Sequence, residues 1–232
     1  MLIKTHKALA DAISGASVLH LNSLGKDSVL TLEWLVKFAR TRRIVSLHYE
    51  FFAPHPDDRR YLDYLRRRYP SVEFITAPNP SDLANITDGI FQFPLEAIEF
   101  LEHEFYGFSM RKMNGEICDR MGLDYICLGH SKYESFARRT KFHQRGLKDG
   151  RDIFPLGMMS KAEVISLIRE TGIKLHPCYK LTASTYDYPS YYKMRNAFLV
   201  NENFRQTMLS IYPLLVLDEY RYERLLNGKK DA

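Results

Sequence analysis

A short run of small, charged and hydroxyl residues stands near the start of the chain, between a predicted strand and a predicted helix. It reads S-L-G-K-D-S from Ser23 to Ser28. A turn at such a position attracts an anion, because its amide groups point outward and the helix dipole favours negative charge. Gly25 permits close backbone approach, Lys26 supplies a cation and the two serines supply hydroxyl donors. Asp27 suits a magnesium ion or caps the helix.

This 23–28 segment does not have the spacing of either common glycine-rich nucleotide motif. The pattern is neither G-x-x-x-x-G-K-[ST] nor G-x-G-x-x-G. On the short motif alone, an ordinary strand-to-helix turn with a serine or aspartate cap therefore remains an alternative to an anion site.

The elements around the segment predict an α/β fold. Apolar runs predict strands at about 18–21, 44–49, 72–76, 125–128 and 152–155, and helices at about 4–14, 28–40, 56–69, 109–121, from 131, and at 160–171. Because the first elements alternate, we expect a twisted, mostly parallel five-stranded sheet with helices on both faces. Residues 78–107 are predicted to form a loop and short helices, residues 138–151 an exposed loop, and the C-terminal region a pair of helices. The predicted domains are a nucleotide-binding domain, 1–178, and a Tyr-rich helical appendage, 179–232.

Four segments in order resemble a known family. The run S-L-G-K-D-S resembles S-G-G-K-D-S, the PP-loop of the adenine nucleotide α-hydrolase-like ATP pyrophosphatases, and the branch that it resembles most is the phosphoadenosine phosphosulfate (PAPS) reductase-like family. Residues 121–130, M-G-L-D-Y-I-C-L-G-H, resemble the family's M-G-x-D-x-x-x-x-G strand. Residues 131–138 resemble its R-x-x-E-S-x-x-R segment, and residues 153–179 its P-L-x-x-W … H-P-x-Y block. The resemblance covers residues 16–180.

The resemblance implies a PP-loop/HUP-like fold that binds ATP or a PAPS-like adenine nucleotide together with magnesium. A substrate oxygen would attack the α-phosphorus and pyrophosphate would leave, with Lys26 and Asp27 as catalytic residues and Asp27 on the metal side. His48, Gly129 and His130 follow strands at the carboxyl edge of the predicted sheet, where such folds bind ligands. The expected nucleotide contacts are Ser23, Leu24, Gly25, Lys26, Asp27, Ser28, His48, Gly129, His130 and Arg138.

Three departures from the family pattern shape the functional prediction. Leu24 replaces a glycine and is expected to narrow the phosphate cradle, and His130 replaces an arginine, which removes a cationic contact. The chain has only three cysteines and none after Cys178, so it lacks a C-terminal nucleophilic thiol and the paired cysteines of an iron–sulfur cluster. The favoured prediction is an enzyme that adenylates a substrate. The alternatives are a sulfonucleotide reductase, alone or dependent on a partner, and a catalytically silent nucleotide-binding module.

Charge and hydropathy set the expected partners and location. The net charge is +5, and residues 138–151 have six basic residues against one acidic residue. This segment is expected to contact a nucleic acid or another acidic substrate, and tyrosines after residue 178 could stack on bases or form a homodimer interface. No apolar run has the length of a membrane span, and charged residues interrupt the N-terminal helix pattern, unlike a signal peptide. With no cysteine framework, a cytoplasmic location is expected.

Overall fold

The computed structural model describes residues 7–51, 54–80, 109–182 and 191–228. The strands are β1 (Ser17–Leu21), β2 (Arg43–Glu50), β3 (Glu73–Pro78), β4 (Tyr125–Cys127), β5 (Lys148–Asp149) and β6 (Asp152–Ile153). The helices are α1 (Lys7–Ala12), α2 (Lys26–Phe38), α3 (Pro56–Arg68), α4 (Met110–Met121), α5 (Phe136–Arg145), α6 (Lys161–Thr171), α7 (Tyr179–Thr182), α8 (Tyr191–Val200), α9 (Glu202–Ile211) and α10 (Leu215–Gly228).

The strands form one sheet in the order β3-β2-β1-β4-β6-β5. Strand β1 pairs in parallel with β2 and β4, and β4 pairs in parallel with β6. The predicted fold class, a mostly parallel sheet in an α/β protein, is confirmed. The sheet has six strands rather than five, because Lys148–Asp149, predicted to lie in an exposed loop, pairs antiparallel with β6.

Helices cover both faces of the sheet, as predicted. Successive side chains of a strand point to opposite faces, and accordingly Val18 and Leu19 of β1 belong to different apolar clusters. The first cluster joins Val18 to side chains of α1, α2, α3 and α6, and the second joins Leu19 to side chains of α4. Parallel strands covered on both faces are expected to be apolar throughout, and β1 and β2 are buried along almost their whole length.

The helix termini follow the local sequence signals. Pro56 begins α3, with Asp57 and Asp58 in its first turn. The predicted capping box of α6 forms between Ser160 and Glu163, and the helix ends at Gly172 in the left-handed conformation. Helix α2 begins at Lys26 rather than at Ser28, so the second half of the 23–28 segment is the first turn of a helix.

One buried charge links two helices of the sheet-containing region. The Glu33 side chain in α2 is 3% exposed and pairs with Lys37 and with Arg68 of α3. The Tyr69 hydroxyl donates to its other oxygen at 2.6 Å. These partners offset the cost of burying a carboxylate between α2 and the end of α3.

The chain divides into two compact units. Within the described residues, unit 1 comprises 7–49, 59–77 and 111–176 and holds the sheet, and unit 2 comprises 50–51, 54–58, 78–80, 109–110, 177–182 and 191–228. Helices α8, α9 and α10 of unit 2 pack around their own apolar cluster, so the described C-terminal region has three long helices where two were predicted. The division at residue 178 stays a prediction. Most of the predicted 78–107 loop and of the Tyr-rich stretch lies outside the described residues.

Candidate functional site

The 23–28 segment follows the carboxyl end of β1, the strand at which the chain changes direction across the sheet. From β1 the chain proceeds to β2 and β3 on one side, and it later continues to β4 on the other side. In open α/β sheets, ligands bind outside the carboxyl ends of the strands at such a switch point. Because β4 runs parallel to β1, the residues after it, Gly129 and His130, lie at the same edge.

Leu24 has a conformation that is rare for a side chain of its kind. Its φ is +58°, in the left-handed region, and its amide donates to the Asn22 side-chain oxygen at 3.0 Å, which holds the turn. The side chain is 2% exposed and belongs to the apolar cluster beneath the segment. The prediction that Leu24 narrows the phosphate cradle is therefore wrong, because this side chain packs into the core.

The start of helix α2 presents amide groups at this edge. Gly25 is the N-cap residue and makes no side-chain capping bond. Among the residues that the structure describes, the amides of Asp27 and Ser28 have no hydrogen-bond acceptor. The first amides of a helix need an external partner, and the helix dipole makes that partner an anion by preference. The arrangement suits a phosphate group.

A buried hydrogen-bond network holds this helix start from below. His20 Nε2 lies 2.8 Å from the Ser28 carbonyl oxygen, and His20 Nδ1 lies 3.0 Å from the Ser46 hydroxyl. A carbonyl only accepts, so Nε2 carries the proton and Nδ1 accepts from Ser46. The Asn22 amide nitrogen donates to the same hydroxyl at 3.3 Å. Burial lowers the pKa of His20 to about 4, so the ring is neutral at pH 7 and keeps this pattern.

His48 contacts the backbone that leads into the 23–28 segment. It lies near the end of β2, is buried, and its Nδ1 donates to the Asn22 carbonyl oxygen at 2.8 Å. The structure therefore places His48 at the predicted edge, where it supports the turn. Its contact with a nucleotide stays a prediction.

Gly129 packs directly on the backbone of the 23–28 segment. A Cβ atom built on Gly129 would lie 2.8 Å from the Asp27 carbonyl carbon and 2.8 Å from the Ser28 nitrogen. Both atoms belong to the main chain at the start of α2, and neither can move without moving the helix start. Glycine is the residue that this contact requires, which explains its place after β4.

His130 and Arg138 also lie at this edge, with different charges. The His130 ring stacks on Phe154 with centroids 5.9 Å apart. Burial, with a further contribution from Arg138 and Lys141, lowers the pKa of His130 to about 4. His130 is therefore neutral and does not supply the positive charge of the arginine that stands at this position in the family pattern. Burial lowers the pKa of Arg138 while the Asp27 charge opposes this shift, so Arg138 is a cation within electrostatic reach of the segment.

The two predicted catalytic side chains contact each other. Lys26 and Asp27 form an ion pair, and both side chains are partly exposed. Ser23 and Ser28 donate and accept within the same segment, with their hydroxyl oxygens 3.3 Å apart. One carboxylate with hydroxyls and phosphate oxygens is a donor set that magnesium uses, because this ion keeps much of its coordination for water and substrate. Asp27 therefore fits the predicted metal side of the site.

Some residues of the site were missed by the sequence predictions. His20, Asn22 and Ser46 hold the segment from beneath, and Lys141 lies 4.5 Å from the centroid of the Phe154 ring. One signal was available, since a histidine between the apolar residues of a buried strand must find hydrogen-bond partners. The partners of His20 come from another strand and a helix, and therefore no local pattern identifies them.

The basic 138–151 segment is not the exposed loop that the sequence predicted. It contains most of α5 and the β5 strand, because Ser135 caps α5 and Gly146 ends it. Several of its cations pair with acids: Arg138 with Glu134, Lys141 and Arg145 with Asp149, and Arg151 with Asp119. These pairs offset much of the local positive charge. An interaction with nucleic acid through this segment stays a prediction.

The two cysteines of unit 1 do not form a ligand set. Cys118 and Cys127 of unit 1 belong to clusters on opposite faces of the sheet, and Cys178 lies in unit 2. All three thiols are buried, and burial raises the pKa of each. The two thiols of unit 1 therefore do not converge on an iron–sulfur cluster, and none of the three is a ready thiolate.

Comparisons with known proteins relate the chain by fold only. No protein-family model and no curated protein matches it. A solved structure of U34-tRNA thiolase NcsA from Methanococcus maripaludis, with its [4Fe-4S] cluster, matches with a TM-score of 0.51 and 15% identity over 97% of this chain and 80% of that chain.

Two synthetase structures match less well. NH3-dependent NAD synthetase from Campylobacter jejuni has a TM-score of 0.47 and 13% identity, covering 96% of this chain and 91% of that chain. NAD+ synthetase from Burkholderia pseudomallei has a TM-score of 0.44 and 17% identity, covering 91% and 87%. At these scores the synthetases carry no argument, and the thiolase shows a shared α/β fold. Among the described residues no helix is long and apolar enough to cross a membrane.

Proposed function

We propose that this protein is an ATP pyrophosphatase-type enzyme that binds an adenine nucleotide at the 23–28 segment and transfers the adenylyl group to a substrate. The observation that carries the proposal is the start of α2 at the switch point of the sheet. The amides of Asp27 and Ser28 have no acceptor within the described residues there, and Lys26 lies beside them. The resemblance of S-L-G-K-D-S to the PP-loop supports the same assignment.

In this reaction an acceptor oxygen forms a bond to the α-phosphorus. The bond from the α-phosphorus to the oxygen bridging to the β-phosphorus breaks, its electrons stay on pyrophosphate, and the acceptor proton passes to solvent. Lys26 and the α2 amides bind the pyrophosphate oxygens and stabilise their growing charge. Asp27, with the nearby hydroxyls, would hold magnesium, which supplies charge neutralisation on the phosphates. Arg138 adds a cation at the same edge.

Reduction of a sulfonucleotide is the less favoured reaction. Such a reaction with the chain's own thiol needs a reactive cysteine, and burial raises the pKa of Cys118, Cys127 and Cys178. A reductase that uses a partner's thiol, and a nucleotide-binding module without catalysis, are the remaining alternatives. Sulfite release from PAPS with a thiol donor would identify the first, and binding of ATP without any product would identify the second.

The test measures ATP binding by isothermal titration calorimetry, and AMP and pyrophosphate release with water as acceptor. We expect Lys26→Ala to weaken the reaction by about 100- to 1,000-fold, the usual effect of removing one stabilising donor. Lys161→Ala is the matched control, because Lys161 is likewise the first residue of a helix in unit 1 and is exposed. No ATP binding by the unmodified chain, or equal loss in both variants, would refute the proposal.

A further inference from the structure

The outer face of helix α5 exposes an aromatic residue, a cation and a histidine in one row. Phe136 is 81% exposed, and Arg139 and His143 are also exposed. Residues spaced by three and four positions lie on one side of a helix, so the three side chains share a face. Tyr133, three residues before Phe136, is 53% exposed. Large aromatic side chains are usually buried, and burial of their apolar surface stabilises the fold; the Phe136 side chain does not have this contribution.

The N-terminal end of α5 lies near the candidate phosphate site. Gly129, shortly before α5, touches the backbone of the 23–28 segment, and Arg138 in the first turn of α5 is within electrostatic reach of Asp27. Phe136 and Arg138 both belong to this N-terminal end of α5, on different sides of the helix, and His143 lies two helical turns further along.

The start of α5 is held in place by several hydrogen bonds. The Lys132 amide donates to the Gly157 carbonyl at 2.9 Å, and the Ser131 hydroxyl donates to the Met159 carbonyl at 2.8 Å. The Ser135 hydroxyl accepts from the Arg138 amide at 3.2 Å. Phe136 is thus presented from an anchored helix start, as a binding group needs to be.

The charges around the face select the kind of ligand. Arg138, Lys141 and Arg145 pair with acids, whereas Arg139 has no ion-pair partner in the portion of the chain that the structure describes. An aromatic ring beside an uncompensated guanidinium complements a ligand with a planar base and a negative backbone. Bases stack on exposed aromatic rings, and arginine binds phosphate.

We propose that the face formed by Phe136, Arg139 and His143 binds a single-stranded polynucleotide and leads it toward the 23–28 segment. Phe136 stacks on a base and Arg139 contacts a backbone phosphate. The role of this strand as the acceptor rests on the proposed adenylyl transfer, whereas its binding to α5 does not.

The test is fluorescence anisotropy of the full chain with labelled single-stranded RNA and DNA oligonucleotides over a range of salt concentrations. We expect Phe136→Ala to weaken binding by about 5- to 100-fold, which corresponds to loss of one stacked base. We expect Arg139→Ala to lower the slope of log K against log salt by about one. Tyr220→Ala and Arg67→Ala are the matched controls, because both residues are exposed and lie outside α5.

Titration of ATP into the same variants separates this proposal from the proposed function. Suppose that the unmodified chain binds oligonucleotides but no ATP, while the Phe136→Ala variant binds oligonucleotides more weakly. In that case the proposed function fails and the α5 proposal stands. Absence of oligonucleotide binding, or equal binding by the α5 variants and the controls, overturns it. The proposal is also overturned if Phe136→Ala leaves oligonucleotide binding unchanged but alters the molecular mass of the protein in solution, measured by light scattering. That result would assign the face to contact with a second copy of the chain.

Discussion

Substituting Gly129 by alanine adds one methyl group at the contact between the turn after β4 and the start of α2. The new Cβ would stand 2.8 Å from two main-chain atoms, the Asp27 carbonyl carbon and the Ser28 nitrogen, where ordinary contacts begin at 3.4 Å. The start of α2 or the turn must therefore retreat by about 0.6 Å. No flexible side-chain end is available to absorb this displacement.

The size of the effect follows from that displacement. Forcing an extra methyl into a packed site costs about 1–3 kcal/mol in the free energy of unfolding. A shift of 0.6 Å would lengthen an amide-to-phosphate hydrogen bond from about 2.9 Å to about 3.5 Å, which is beyond useful length. Losing one hydrogen bond to a charged group costs about 1.5–3 kcal/mol, so we expect ATP affinity to fall by about 10- to 100-fold.

Urea unfolding measures the first quantity and calorimetric titration with ATP measures the second. Gly115→Ala is the control, because Gly115 lies inside α4 and its added Cβ would meet nothing within 4 Å. Alanine is the better helix former, so this control is expected to raise stability by about 0.5–1 kcal/mol. If Gly129→Ala were as stable as the control and bound ATP with unchanged affinity, the inferred contact between Gly129 and the 23–28 segment would be refuted.

Three further predictions concern stability. The pKa of His20 is about 4 in the folded chain against an ordinary 6.5, and the pKa of His130 is lowered in the same way. The contribution of these residues to the free energy of unfolding is therefore full above pH 6.5 and falls toward pH 4, by about 3 kcal/mol for His20. His20→Gln should flatten this part of a plot of urea midpoint against pH. Glu33→Gln leaves two cations without their shared carboxylate and should lower the free energy of unfolding by about 1–2 kcal/mol after screening. The control Asp63→Asn breaks an exposed ion pair and should change that free energy by no more than about 0.5 kcal/mol. Equal shifts of the melting temperature in the two variants would contradict this prediction. At Leu24, where φ is positive, Leu24→Gly should be about 1 kcal/mol more stable to urea than Leu24→Ala, because glycine adopts this conformation without strain. If the alanine variant were the more stable, as it is at most positions, the inferred strain at Leu24 would be disproved.

Much of the fold could be predicted because local signals and burial agree. The apolar runs of β1 and β2, the Pro56 helix start and the Ser160 capping box each depend on neighbours in sequence. The prediction for the 138–151 segment was wrong because its local composition and its burial disagree. Its basic composition suggested solvent exposure, but Phe142 is buried and acids from other elements pair with its cations.

The candidate site divides in the same way. The sequence alone predicted a strand-to-helix turn at Ser23–Ser28 that suits an anion, since amide direction and helix dipole are local properties. It also placed Gly129, His130 and Arg138 in order along the chain. Only the tertiary structure decided that Leu24 points into the core, that His20 is a neutral support beneath Ser28, and that Gly129 touches the start of α2. These facts depend on which strands pair and which atoms then meet across more than 100 residues of chain, as between Asp27 and Gly129, and no local pattern in the sequence encodes such contacts.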